Sequence, residues 1–88
     1  MRELTLFYFP ECPYCQRAMK DQEEIFREHP EYRQIPLRMV DENRWREEAD
    51  RYDYWYVPAY FLGDEKLCEG AKDKETVLAA FRRAWETE

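Results

Sequence analysis

The spacing of apolar residues along the chain predicts strands alternating with helices. Residues 3–9 ("ELTLFYF") are rich in aromatic residues and end before Pro10, which indicates a strand. Both alternating sets of its side chains are largely apolar, so this strand is expected in the middle of a sheet covered by helices on both faces. From Pro13, which suits the first turn of a helix, apolar residues recur at helical spacing until residues 29–31.

The next segment predicts a weaker strand and a second helix. Residues 33–40 form the strand, and Pro36 places it at a sheet edge because proline donates no ladder hydrogen bond. Asp41 is then expected to cap a helix over about 42–52. The residues expected along one side of that helix are Trp45, Ala49 and Tyr52.

The last third predicts a hairpin and a closing helix. Strands at 57–62 and 65–69 are joined by a tight turn at 63–64, and Asp73 caps the final helix. The apolar stripe of that helix comprises Val77, Leu78, Phe81 and Trp85. The predicted order is therefore β-α-β-α-β-β-α, an α/β fold with a four-stranded mixed sheet. A helix between each pair of the first three strands predicts parallel crossover connections among them.

Composition favours one small folded domain, spanning residues 1–88, which we expect to be a monomer. Hydrophobic residues make up 44% of the chain and aromatic residues 17%, enough for a core. The net charge of −6 argues against a nucleic-acid partner. No apolar run approaches the roughly 20 residues that span a bilayer, and the N-terminus does not resemble a secretory signal. We therefore expect a cytoplasmic protein without a membrane partner, in a compartment where structural disulfides are rare.

Two cysteines, Cys12 and Cys15, carry the candidate chemistry as a metal clip, a cross-link or a redox pair. A closed zinc site needs four ligands, and the other soft candidates are Cys68 and His29. His29 lies at the far end of the predicted helix, about 20 Å along its axis from the pair. We therefore expect no metal site. Cys68 is expected to be a buried structural thiol.

The spacing of the pair suits redox work. Cys12 falls at the mouth of the first helix, where unpaired N–H groups and the helix dipole favour a thiolate. Cys15 is three positions on, close enough for a disulfide across the first turn. The more exposed first sulfur would attack a disulfide, and the more buried second one would resolve the mixed disulfide.

These features together resemble the glutaredoxins of the thioredoxin superfamily. The resemblance rests on "CPYC" at 12–15, on "VP" at 57–58 before a strand, on "EG" at 69–70 and on the element order. It covers essentially the whole chain. It implies that Cys12 is the nucleophile, that Cys15 is the resolving thiol and that Pro58 is a cis-proline packed against them. It also implies a substrate-binding set beside the sulfurs, comprising Tyr14, Tyr56, Val57, Pro58 and Gly70.

The chain departs from glutaredoxins where those proteins bind glutathione. Tyr56 replaces the usual threonine, and Glu69 replaces the first glycine of a Gly-Gly pair. Counting from Gly70, Lys72 occupies the place of an expected acidic residue, with Asp73 one position late. No bound cofactor is expected, and glutathione is at most a weakly used reductant. We also expect an aromatic shelf from Tyr54, Trp55 or Tyr56 beside the cysteines, exposed for a protein partner.

The sequence thus predicts a dithiol thiol–disulfide oxidoreductase that acts on a disulfide-containing protein or a small disulfide. Its reductant would be glutathione or an enzyme of the thioredoxin-reductase type. Two alternatives stay open. One is a thioredoxin-like electron donor reduced by a flavoprotein reductase, and the other is a non-catalytic partner-docking module on the same fold.

Overall fold

A computed structural model of the protein describes residues 2–70 and 73–87, in which four strands and three α-helices follow one another as predicted. A short 3₁₀ helix, which was not predicted, lies between the first helix and the second strand. The elements in chain order are β1 (Leu4–Tyr8), α1 (Pro13–Glu28), the 3₁₀ helix (Pro30–Gln34), β2 (Leu37–Asp41), α2 (Arg46–Ala49), β3 (Ala59–Leu62), β4 (Glu65–Glu69) and α3 (Lys74–Glu86).

The four strands form one mixed sheet in the order β2-β1-β3-β4. β1 pairs in parallel with β2 and antiparallel with β3, and β3 and β4 form an antiparallel hairpin. The prediction of a central first strand and of a second strand at the edge is confirmed. The prediction of parallel crossovers among the first three strands is wrong for β3, because the connection after α2 returns the chain in the opposite direction.

Alternating side chains of the central strands feed two separate apolar clusters, one on each face of the sheet. On one face Leu4 and Leu6 of β1 join buried residues of α1 and α3. On the other face Phe7 packs with Val40, Phe61 and Ala49 of α2. Because β-strand side chains alternate between faces, this arrangement confirms that β1 is buried on both sides and that helices cover both faces.

The predicted strand over 33–40 begins too early. Its first residues belong to the 3₁₀ helix, which Pro30 opens at a position where a missing N–H costs nothing. Tyr32 of this helix is buried and stacks on His29, so the segment is fixed by core packing instead of by a sheet. Pro36 lies just before β2, and its carbonyl accepts a hydrogen bond from the Leu4 amide at 2.8 Å.

The predicted helix over about 42–52 is wrong in length, since α2 has a single turn. The Asp41 carboxylate accepts a hydrogen bond from the Asn43 amide at 3.0 Å, which forms a turn where a longer helix would begin. Trp45 does not share a buried side with Ala49 and Tyr52, because 52% of its surface is exposed.

The C-terminal part agrees more closely with the sequence pattern. β3 begins at Ala59, two residues later than predicted, and β4 and the turn before it match. The Asp73 carboxylate accepts a hydrogen bond from the Thr76 amide at 2.9 Å, so the predicted cap of α3 is confirmed. Val77 and Phe81 are buried in the predicted stripe, whereas Trp85 remains partly exposed against Tyr32.

Candidate active site

The start of α1 places Cys12 where solvent can reach it. Cys12 is the N-cap residue of the helix and Pro13 is its first residue. The Cys12 amide donates to the Phe9 carbonyl at 3.0 Å, and its own carbonyl accepts from the Gln16 amide at 3.0 Å. These bonds fix the backbone on either side of a half-buried thiol. The first amides of a helix have no hydrogen-bond partner within it, so the end of the helix at which Cys12 lies attracts negative charge.

Cys15, one turn later, lies in a very different environment. It is completely buried, and its sulfur accepts a hydrogen bond from the Phe9 amide at 3.4 Å. Burial raises the pKa of the Cys15 thiol to about 12, and the adjacent Cys12 thiol contributes to the increase. The pair therefore combines a reachable sulfur with a buried, protonated one, the asymmetry that the sequence predicted.

A second segment approaches the cysteine end of the sheet before β3. The Val57–Pro58 peptide bond is cis, as the family resemblance implied, and Pro58 is buried. The Pro58 carbonyl accepts a hydrogen bond from the Gly70 amide at 2.8 Å. Gly70 has a φ of +64°, a backbone conformation that residues other than glycine rarely adopt. The link between the two segments therefore depends on glycine at this position.

An open cleft of about 360 Å³ lies where these segments meet the first turn of α1. Four of the five residues predicted to bind substrate line it together, and the fifth, Pro58, is buried. The cleft is lined by Tyr14, Tyr56, Val57, Glu69 and Gly70. Larger hollows of about 460 and 530 Å³ lie elsewhere, one between the segment after α2 and the β3–β4 hairpin and one along α2. In the described part of the chain, no cysteine lines either of them or the cleft, and the cleft is favoured because Tyr14, between Cys12 and Cys15 in sequence, forms part of its wall.

Two exposed aromatic side chains precede the cis-proline: Tyr56 lines the cleft, and Trp55 lines a neighbouring hollow next to α2. Trp55 is 85% exposed and Tyr56 is 70% exposed, and we call these two residues the aromatic shelf. Tyr54 does not belong to it: its ring stacks on Phe7 with centroids 5.0 Å apart, and its hydroxyl donates to the Glu42 carboxylate at 2.9 Å. The aromatic stretch is thus divided between the core and an exposed surface.

Glu69 is the lining residue that the sequence did not assign to the site. Its carboxylate accepts hydrogen bonds from the backbone amides of Trp55 and Tyr56 at 2.8 and 3.0 Å. The Lys66 ammonium donates to its other oxygen at 2.6 Å. The available signal in the sequence was that an acidic residue, Glu69, replaces the first glycine of the expected Gly-Gly pair. That signal does not identify its hydrogen-bond partner, because Tyr56 is 13 residues away in sequence.

The two carboxylates closest in sequence to the place of the missing acidic residue, Glu69 and Asp73, are already engaged. Glu69 holds the backbone of the aromatic shelf, and Asp73 accepts from both the amide and the hydroxyl of Thr76. Lys72, which departs from the glutaredoxin pattern, lies outside the described residues. Among the described residues that line the cleft, Glu69 is the one carboxylate, and it is already engaged.

The remaining candidate chemistry is sparse. Within residues 2–70 and 73–87, no three His, Cys, Asp or Glu side chains converge on a position that could hold a metal ion. No helix in that part of the chain is both long and apolar enough to cross a membrane. Cys68 is half-buried in β4 instead of fully buried, and burial raises the pKa of its thiol.

The fold is that of thioredoxin-like proteins. No protein-family model matches this sequence, and no curated protein does. Among solved structures, the chain is similar to the zinc-bound form of human ERp44, a thioredoxin-fold protein, with a TM-score of 0.59 and 20% sequence identity. The match covers 92% of this chain and 25% of the ERp44 chain, so this chain spans about a quarter of that protein's length. At this identity the likeness concerns the fold.

Proposed function

We propose that the protein is a dithiol thiol–disulfide oxidoreductase of the glutaredoxin-like type. The observation that carries the proposal is the contrast between a reachable Cys12 at the mouth of α1 and a fully buried Cys15 one turn away, beside an open cleft. A helix N-terminus favours the attacking thiolate. Burial keeps the second thiol protonated until a disulfide forms within its reach.

The proposed reaction transfers two electrons from the cysteine pair to a substrate disulfide. The Cys12 thiolate attacks one substrate sulfur, the substrate S–S bond breaks, and the other sulfur leaves as a thiolate that takes up a proton. Cys15 then loses its proton and attacks the Cys12 sulfur. The Cys12–Cys15 disulfide forms, and the second substrate sulfur is released as a thiol carrying that proton. An external thiol, either glutathione or a reductase of the thioredoxin-reductase type, must reduce the pair again.

Single cysteine variants test the assignment of the two sulfurs. Cys15→Ser should accumulate a mixed disulfide on Cys12 after incubation with a substrate disulfide, because attack is intact and resolution is lost. Cys12→Ser should capture little substrate and lose turnover of 2-hydroxyethyl disulfide. Mass spectrometry of both variants gives the comparison, with Cys68→Ser as the matched control that should behave like the unmodified protein. Equal trapping by the two active-pair variants would contradict the assignment of Cys12 as nucleophile and Cys15 as resolving thiol.

A protein disulfide is the substrate that the cleft supports best. The aromatic shelf leaves two large rings in water, one of them, Tyr56, sharing the cleft with Tyr14 of the cysteine motif. Exposed apolar surface near a reactive group is typical of an interaction site. The same shelf supports the second candidate, a docking module that does not turn over disulfides. Loss of small-disulfide turnover in Cys12→Ser separates the two, since a docking module has no such turnover to lose.

A further inference from the structure

One carboxylate outside the cysteine pair makes contacts that determine the shape of the cleft. Glu69 lies at the end of β4, and one of its oxygens accepts from two consecutive backbone amides, those of Trp55 and Tyr56. The other oxygen accepts from the Lys66 ammonium. Hydrogen bonds that involve an ionised group are about twice as strong as neutral ones. This arrangement concentrates three of them on a single side chain.

The segment that Glu69 holds has little else to fix it. Trp55 and Tyr56 lie between α2 and β3, outside any helix or strand, and their rings are 85% and 70% exposed. Side-chain packing therefore does not determine where these residues stand. Below them the Gly70 amide bonds to the Pro58 carbonyl, so Glu69 and Gly70 together attach this segment to β4. The wall of the cleft is built on that attachment.

We propose that Glu69 is a positioning residue: it holds the backbone of the aromatic shelf, which sets Tyr56 at the cleft with Trp55 next to it, and so gives the site a preference for protein disulfides with an apolar side chain beside the cysteine. This inference rests on the proposed oxidoreductase function. Glu69 has no part in the electron transfer itself. Its effect is on how well an extended substrate segment is received between Tyr14 and Tyr56.

The Glu69 carboxylate stays charged at the pH values at which thiolates react. The Lys66 ammonium and the two amides lower the pKa of Glu69 to about 2. The carboxylate is therefore ionised throughout the neutral range, and Lys66 balances its charge. Glutamine has nearly the same shape as glutamate but no charge. In Glu69→Gln the side-chain oxygen can still accept from the amides, and the ion pair with Lys66 is lost. Glu69→Gln and Glu69→Ala thus remove different parts of the arrangement.

The test compares two peptide disulfides that differ only in having leucine or serine next to the cysteine. With the unmodified protein, kcat/KM should favour the leucine peptide. In Glu69→Ala, KM for the leucine peptide should rise about 5–10-fold with kcat little changed, because a binding surface has been loosened and the chemistry has not. Turnover of 2-hydroxyethyl disulfide, which is too small to span the shelf, should fall less than turnover of the leucine peptide. The KM of Glu69→Gln for the leucine peptide should lie between those of the unmodified protein and Glu69→Ala.

Amide hydrogen exchange supplies a readout independent of turnover. The Trp55 and Tyr56 amides should exchange faster in Glu69→Ala while the amides of β1 stay protected. Glu65→Ala, on the same strand but paired with Arg83, is the matched control and should leave both measurements unchanged. An unaltered preference for the leucine peptide in Glu69→Ala would overturn the inference. Absence of turnover by the unmodified protein on all three disulfides would instead overturn the proposed function.

Discussion

The two cysteines differ because a helix N-terminus treats its successive positions differently. Cys12 precedes the first turn and keeps access to solvent, while Cys15 turns inward with Ala18 and Ile25 beneath the sheet. The sequence was sufficient to predict this asymmetry, since three-residue spacing and an apolar face determine which residue is covered. The size of the increase in the pKa of Cys15 depends on the packing around it, which spacing alone does not reveal.

Alkylation rates test the burial of Cys15. With a pKa of about 12, Cys15 should be almost wholly protonated at pH 8, and only thiolate reacts with iodoacetamide. In a Cys12→Ser, Cys68→Ser background the contribution of the Cys12 thiol is removed, but burial, the largest cause of the raised pKa, remains. Alkylation of Cys15 should therefore be at least about 100-fold slower in the folded protein than in urea, where an ordinary pKa near 8.5 returns. Mass spectrometry of quenched samples measures both rates. Similar rates in the two states would show that the thiol is accessible and ordinary.

The buried carboxylate of Asp21 on α1 should make the free energy of unfolding depend on pH. Asp21 is 6% exposed, and its Oδ2 atom has no hydrogen-bond partner among the described residues. Burial raises its pKa above the usual 3.8, with Arg17 acting in the opposite direction. Folding therefore disfavours the charged form. The resulting cost is present above the raised pKa and disappears as the pH falls below 3.8.

Asp21→Asn should consequently increase the free energy of unfolding at pH 7, because it retains the shape of the side chain and removes the charge. The difference from the unmodified protein should shrink as the pH approaches 3. Urea unfolding at several pH values measures it, with Glu23→Gln on the exposed side of the same helix as the control. A destabilised variant at neutral pH would mean that the Asp21 carboxylate is stabilising after all.

At the scale of elements, the segments with a strong apolar period were predictable and the weakly patterned ones were not. β1, α1 and α3 have buried faces that repeat regularly, so local pattern and final packing agree. The segments before β2 and around α2 lack such a face. There, Tyr32 inserting into the core and the turn made by Asp41 decide the backbone. Both depend on contacts that periodicity does not encode.

The packing of α3 on the sheet rests heavily on Phe81. Its ring is completely buried and lies edge-on to the rings of Phe26 and Tyr60, with centroid distances of 5.3 and 6.1 Å. Phe81→Ala should lower the free energy of unfolding by about 3–5 kcal/mol, the loss usual for a fully buried phenylalanine. Arg82→Ala, the next residue and exposed, should change it by less than about 0.5 kcal/mol. Chemical denaturation decides this, and a loss below about 1 kcal/mol for Phe81→Ala would mean that the cavity collapses.

At the scale of the whole molecule, the cleft combines three segments that are distant in sequence. The family resemblance brought Tyr14, Val57 and Gly70 to one place, and the structure lines one cleft with them. The part played by Glu69 was beyond prediction, because its hydrogen bonds reach across the hairpin to amides of an irregular segment. Contacts between a side chain and a distant backbone leave no periodic trace in a sequence.

Net charge extends the prediction of weak glutathione use to the whole molecule. The chain carries a charge of −6, and glutathione is itself an anion at neutral pH. Both Glu69 and Asp73 are engaged elsewhere, so neither is available to the ligand's ammonium group. These two carboxylates therefore do not offset the long-range repulsion between the protein and glutathione. Added salt screens that repulsion, because the Debye length falls from about 30 Å at 0.01 M to about 8 Å at 0.15 M.

Reduction of the Cys12–Cys15 disulfide by glutathione alone should therefore be slow and should accelerate about twofold or more between 0.01 and 0.15 M NaCl, as the repulsion is screened. Dithiothreitol is the matched reductant: its attacking thiolate carries one negative charge fewer than that of glutathione, so its reaction should depend less on salt. Glu11→Gln, which removes an exposed negative charge next to Cys12, should speed the glutathione reaction more than the dithiothreitol reaction. Acid quenching, alkylation and mass spectrometry follow both reactions. A fast glutathione reaction that slows with added salt would indicate attraction between ligand and cleft, and would restore glutathione as the direct reductant.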